Sequence, residues 1–189
     1  MKVLEANFAR VTAEDDEHTT QTLYYIRGQI ADCLDALKRN DEALDLRREN
    51  YEAEGGEDWV VPVTHHLTSA IDYCTSLARI EGAAAAQAFM RDQDLVARVT
   101  SEFGEDHPTT HGCLHTYAFT LIGDPRRRCP DDDLAEATAI FTDIARKWRR
   151  RLGAAHPQAE NMQEAAKILR ARIAYNGVLD ELLASSTGE

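Results

Sequence analysis

Three histidines spaced four residues apart, His107, His111 and His115, come closest in this sequence to a set of groups that could do chemistry. Residues four apart on an α-helix share one side of it, so three neutral imidazoles in this register could meet a common zinc or other transition-metal ion. Against that reading, His107 stands directly before Pro108. There a ring tends to pack against or cap a helix end. His65 and His66 open the corresponding segment about one repeat earlier, which makes histidines at such places a recurrent trait. The expectation is therefore no metal, no cofactor and no catalytic residue, with metal binding at the histidines kept as the enzyme-like alternative. The chain has no Gly-rich phosphate loop, no Gly-x-Ser-x-Gly elbow and no His-Glu-x-x-His. The acidic runs Glu14–Glu17 and Asp131–Asp133 fit calcium-loop spacing poorly and read as charge at helix N-termini, which the helix dipole favours. Arg146, Lys147, Arg149, Arg150 and Arg151 read as the complementary charge at a C-terminus.

Bulk charge bounds the partners. Across 189 residues, 33 acidic against 21 basic side chains leave a formal charge of −12. That field repels polyphosphates and attracts basic peptides or basic protein surfaces, so nucleic acid is excluded as the expected ligand. Cys33, Cys74, Cys113 and Cys129 lie far apart with no Cys-x-x-Cys pair, which suits a reducing cytoplasm. The N-terminus has no apolar secretory core and no stretch approaches the roughly 18 apolar residues that a membrane helix needs, so a soluble protein with no membrane partner is expected.

The elements that position these residues repeat along the chain. Gly104-Glu-Asp-His-Pro108 matches Gly56-Glu-Asp-Trp-Val60 and Gly153-Ala-Ala-His-Pro157, with a fainter echo in Asp15-Asp-Glu-His-Thr19. The anchors His18, Trp59, His107 and His156 are 41, 48 and 49 residues apart. Each marks a helix boundary, where a small residue closes one helix and proline opens the next. Paired small residues follow: Ala31 with Ala43, Ala70 with Ala88, and Ala118 with Ala137. Such pairs let two helices approach closely. Helices are expected over 2–13, 19–38, 41–54, 62–80, 83–103, 108–122, 133–152, 157–174 and 178–185. Asn40 is the expected N-cap of the third of these, Asp133 and Glu136 a capping box, and Asn176-Gly177 a left-handed stop. Gly123–Asp133, with three arginines and four aspartates, reads as an exposed inserted loop.

The Gly-x-x-His-Pro anchors, the Leu-Ala-like pair and the Glu-Ala opening a second helix, at Glu42-Ala43 and Glu136-Ala137, resemble the kinesin light chain type of tetratricopeptide repeat, over roughly residues 18–175. The resemblance implies an all-α fold, a right-handed superhelical solenoid of antiparallel helix pairs with about 3.5 repeats. Residues 1–17 would be an N-terminal helix or cap, 18–58, 59–106 and 107–155 the repeats, and 156–189 C-terminal capping helices, all in one domain. Residues 1–13 read as the second helix of a pair whose first is missing, as in a piece of a longer protein or in a short protein whose first helix acts as a cap.

The family's function would be that of a scaffold or adaptor holding a peptide or protein, basic where charge steers it, in a concave groove lined by the first helix of each pair. Carried over, the groove residues are Tyr25, Gln29 and Asp32, then Thr68 and Asp72, then His115, Thr116 and Phe119. One departure matters. Gln29, Thr68, Thr116 and Ala165 stand where the subclass often has a backbone-clamping asparagine, and a hydroxyl does not reproduce the two-pronged amide. The alternatives are a regulatory or sensor segment of a larger signalling protein and a self-associating structural element.

Overall fold

The computed structural model describes residues 17–54, 63–123 and 128–186. These form eight helices and, among the described residues, no strand. In chain order they are α1 (Glu17–Ala36), α2 (Asn40–Glu54), α3 (Val63–Ile80), α4 (Ala83–Asp92), α5 (Leu95–Phe103), α6 (Pro108–Ile122), α7 (Asp131–Leu152) and α8 (Pro157–Ser186). The expected helix 2–13 and the anchor at Trp59 lie outside the described residues. The chain divides into two compact units, 1–104 and 105–189, at the His107 anchor. Among the described residues, no helix is long and apolar enough to cross a membrane.

In the first unit, Ile26, Ile30 and Leu34 recur every four residues on α1 and turn one stripe toward α2. Ala31 and Ala43 meet there with no exposed surface, as the small-residue pairing requires. The connection is tight. Lys38 takes a left-handed conformation (φ 63°), the Arg39 N–H donates to the Leu34 carbonyl (2.9 Å) and the Lys38 N–H to Asp35 (3.0 Å). These two bonds close the helix by the 6→1 and 5→2 pattern. Arg39 precedes α2 and grips Glu42 with two 2.6 Å hydrogen bonds, while Asn40 lies inside the helix rather than capping it.

Packed on α3, Ala86 is the buried small residue of α4, in place of the expected Ala88, which is exposed. The expected helix 83–103 is broken in two by Asp94, which is left-handed (φ 46°, ψ 40°). The apolar spacing explains the break: Ala86 to Met90 is four residues, but Met90 to Leu95 is five. A continuous helix would place Asp94 on the buried stripe. The extra residue at the break returns Leu95 and Val99 to the core, and aspartate tolerates the left-handed region better than most side chains.

In the second unit, Phe141 of α7 is fully buried among Ala118, Leu121, Leu134, Ala137, Ala166 and Leu169 from three helices. Ala118 and Ala137 both lose all exposure, as their spacing predicts. Helix α7 starts at Asp131, so Asp133 is within its first turn and no side-chain capping box forms. Its first-turn Asp131, Asp132 and Asp133 and its terminal Arg149, Arg150 and Arg151 lie at the ends that the dipole favours. The C-terminal segment is one helix rather than two. Asn176 is buried with its Nδ2 donating to Asp131 Oδ1 (2.8 Å), and Gly177 is not left-handed. With that amide satisfied by α7, nothing competes with the helical backbone.

Candidate functional site

The repeated Gly-x-x-His-Pro motif has a common geometry. Gly104 and Gly153 end α5 and α7 at φ 87° and 96°, with ψ near 160°, a region that side chains rarely enter. At the start of α6, the Thr109 N–H donates to Nδ1 of His107 (3.2 Å), and at the start of α8 the Gln158 N–H donates to Nδ1 of His156 (3.3 Å). Both imidazoles thus serve as N-caps before a first-turn proline.

That role separates the three histidines, whose spacing alone would let them share one metal ion. His107 caps. His111 is buried beside Trp148 (ring centroids 5.8 Å), and His115 lies edge-on to Phe119 (4.7 Å) and Phe141 (5.8 Å). Desolvation by the surrounding protein holds both imidazoles below the ordinary histidine range, and Lys147 adds to the effect at His111. Among the described residues, no group of three or more His, Cys, Asp or Glu is placed to hold a metal ion.

The sites of the expected groove are more informative. Tyr25, Gln29 and Asp32 recur at helical spacing on α1, and Thr68 and Asp72 on α3. All five line one pocket of about 400 Å³. His115, Thr116 and Phe119 belong to α6 in the second unit, where Phe119 is about half exposed.

The pocket contains residues that sequence spacing did not assign, chiefly Arg47 and Asn50 of α2. They follow Ala43 by four and seven residues, on the helix stripe that faces inward. Two polar groups on an otherwise buried stripe were the available signal. The expectation that first helices alone line the groove passed over them.

Arg47 is the hub of the floor. Its Nη1 donates to Asp35 Oδ2 (2.7 Å) and to Ser76 Oγ (2.6 Å), and its Nη2 donates to Asp32 Oδ1 (2.7 Å). Arg79 of α3 donates to the other oxygen of Asp35. Burial alone would raise the Asp35 carboxyl, but the hydrogen bonds from Arg79 and Arg47 outweigh it and hold the group below the usual carboxylate range. Asp72 differs. It is crowded by protein although solvent still reaches it, and desolvation pushes its carboxyl above the usual range, with Arg47 opposing and Asp32 adding. Among the described residues it accepts no hydrogen bond.

Asn50 is 5% exposed. Its Nδ2 donates to the Tyr24 carbonyl (3.0 Å), whereas its Oδ1 is buried and accepts nothing. Behind the pocket an aromatic cluster fixes α2, α3 and α4: Tyr51 stacks on His66 (4.9 Å) and Tyr73 (5.8 Å), and Phe89 meets both tyrosines edge-on at 5.1 Å. Arg48 reaches the Tyr73 hydroxyl (3.2 Å) and Glu81 (3.0 Å).

Compared with protein-family models, curated proteins and solved structures, the chain matches none. The chain is all-helical among the described residues, with a polar pocket lined by Asp32, Asp72, Arg47 and Asn50 in its first unit.

Proposed function

We propose that this protein is a non-catalytic interaction scaffold of the tetratricopeptide kind, holding a peptide or protein segment against the concave face built by α1 and α3. The supporting observation is the convergence of Tyr25, Gln29, Asp32, Thr68 and Asp72, from two helices, on one pocket large enough for part of a peptide. The repeated Gly-x-x-His-Pro caps and the close alanine pairs support reading the helix pairs as repeats of that type. A second surface is offered by His115, Thr116 and Phe119 on α6, with an exposed aromatic as its anchor. A reducing, cytoplasmic setting is part of the reading and is in keeping with four free thiols.

The test is selection of random displayed peptides on the whole chain and on a variant carrying Tyr25→Ala, Gln29→Ala and Thr68→Ala. These three side chains are exposed, so the substitutions leave the core intact. Enrichment of a consensus on the parent, with retention on the variant reduced about tenfold or more, is expected. No enrichment, or equal retention by the two proteins, overturns the groove.

A further inference from the structure

We propose that the pocket between α1, α2 and α3 is an arginine-recognition site, which accepts one guanidinium from a bound peptide between Asp72, Asp32 and the Asn50 carbonyl. The inference rests on the groove reading and specifies its chemistry.

Three observations carry it. The first is charge. Asp32, Asp35 and Asp72 face Arg47 and Arg79, three carboxylates against two guanidiniums, so one further cation brings the set to neutrality. The second is an orphaned acceptor. Asn50 lines the pocket, is 95% buried by its 5% exposure, and has its amide nitrogen engaged by Tyr24, which leaves Oδ1 buried without a donor. Such a group carries a desolvation cost that a ligand N–H relieves. The third is the supply of donors already present. The Arg47 guanidinium is engaged by Asp35, Asp32 and Ser76, which leaves Asp72, the second oxygen of Asp32 and the buried Asn50 Oδ1 as a group of acceptors beside it.

A ligand with donors only, spread in a plane, matches that set. A guanidinium presents five N–H groups and no acceptor, and it stacks on aromatic faces, of which Tyr25, 69% exposed at the pocket, is one. An ammonium concentrates its donors at one point and reaches fewer of these acceptors. The volume of about 400 Å³ admits an arginine side chain with part of its backbone.

The experiment titrates the isotopically labelled whole chain with N-acetyl-arginine amide, and in parallel with the citrulline and lysine analogues, and follows amide resonances by NMR. The arginine amide is expected to shift the Asn50 side-chain amide and the backbone of α1 and α3 saturably. Citrulline, of nearly the same shape but uncharged, should bind at least about tenfold more weakly, and Asp72→Asn should cost the arginine amide a similar factor. Equal binding of arginine and citrulline, shifts elsewhere than this pocket, or no shifts at all would overturn the assignment. The citrulline arm needs no variant, so a misfolded Asp72→Asn protein would not blur the result. A peptide selection that yields a consensus without arginine would sink this assignment and leave the groove standing. Saturable arginine binding without any selected peptide would do the reverse.

Discussion

Asp35 shows how one side chain organises the first unit. It lies on α1, is 17% exposed, and receives Arg47 from α2 and Arg79 from α3, so it ties three helices at one carboxylate. Asp35→Asn keeps the shape and removes the charge, weakening the bonds from both guanidiniums while Arg47 keeps Asp32 and Ser76. The expected cost is about 1–3 kcal/mol near neutral pH. The sign of the pH dependence follows from the depressed carboxyl: its contribution is complete above the ordinary value of 3.8 and is lost as pH falls through the lower folded value. Urea unfolding of parent and variant should therefore differ at pH 7 and converge as the pH is lowered below the ordinary carboxylate range. Neither Asp35 nor Arg47 stood out in the sequence, because an arginine on a helix face has the same spacing whether it meets solvent or a carboxylate twelve residues away.

At the scale of the element, the boundaries written into the sequence are those enforced by local backbone chemistry. Gly153 occupies φ 96°, ψ 161°, where a side chain is strained whatever space surrounds it. Gly153→Ala should cost about 1–3 kcal/mol, seen as a lowered midpoint in differential scanning calorimetry. The Gly-x-x-His-Pro anchors were legible for this reason, and the caps formed by His107 and His156 follow from the proline that comes next. The break at Asp94 and the continuity of α8 through Asn176-Gly177 were not. At Asp94 the phase of Met90 and Leu95 against α3 decides. At Asn176 the decision belongs to Asp131, 45 residues away.

For the whole molecule, burial holds three imidazoles below the ordinary histidine range. His66 is in the first unit, where Arg98 adds to the effect, and His111 and His115 are in the second. Each has a folded value below the ordinary 6.5, so the unfolded chain takes up protons first as pH falls. Stability should be complete above that value and fall on acidification below it, by up to about 1.4 kcal/mol per pH unit for each histidine. Urea midpoints between pH 8 and 5 measure this, and His66→Phe should flatten the curve. A midpoint unchanged across the interval would contradict the burial of the rings.

The sequence by itself determined the helical class, the positions of the Gly-x-x-His-Pro boundaries, the close contacts of Ala31 with Ala43 and Ala118 with Ala137, and the faces of α1 and α3 that carry Tyr25, Gln29, Asp32, Thr68 and Asp72. Periodicity and backbone preference act within a few residues, so they can be read one segment at a time. Only the tertiary structure decided that α2 supplies the pocket floor, that Arg47 joins Asp32, Asp35 and Ser76, and that Asn50 keeps an acceptor without a donor. Those outcomes depend on which stripe of one helix meets which stripe of another, and polar groups pair by proximity in space rather than by spacing along the chain.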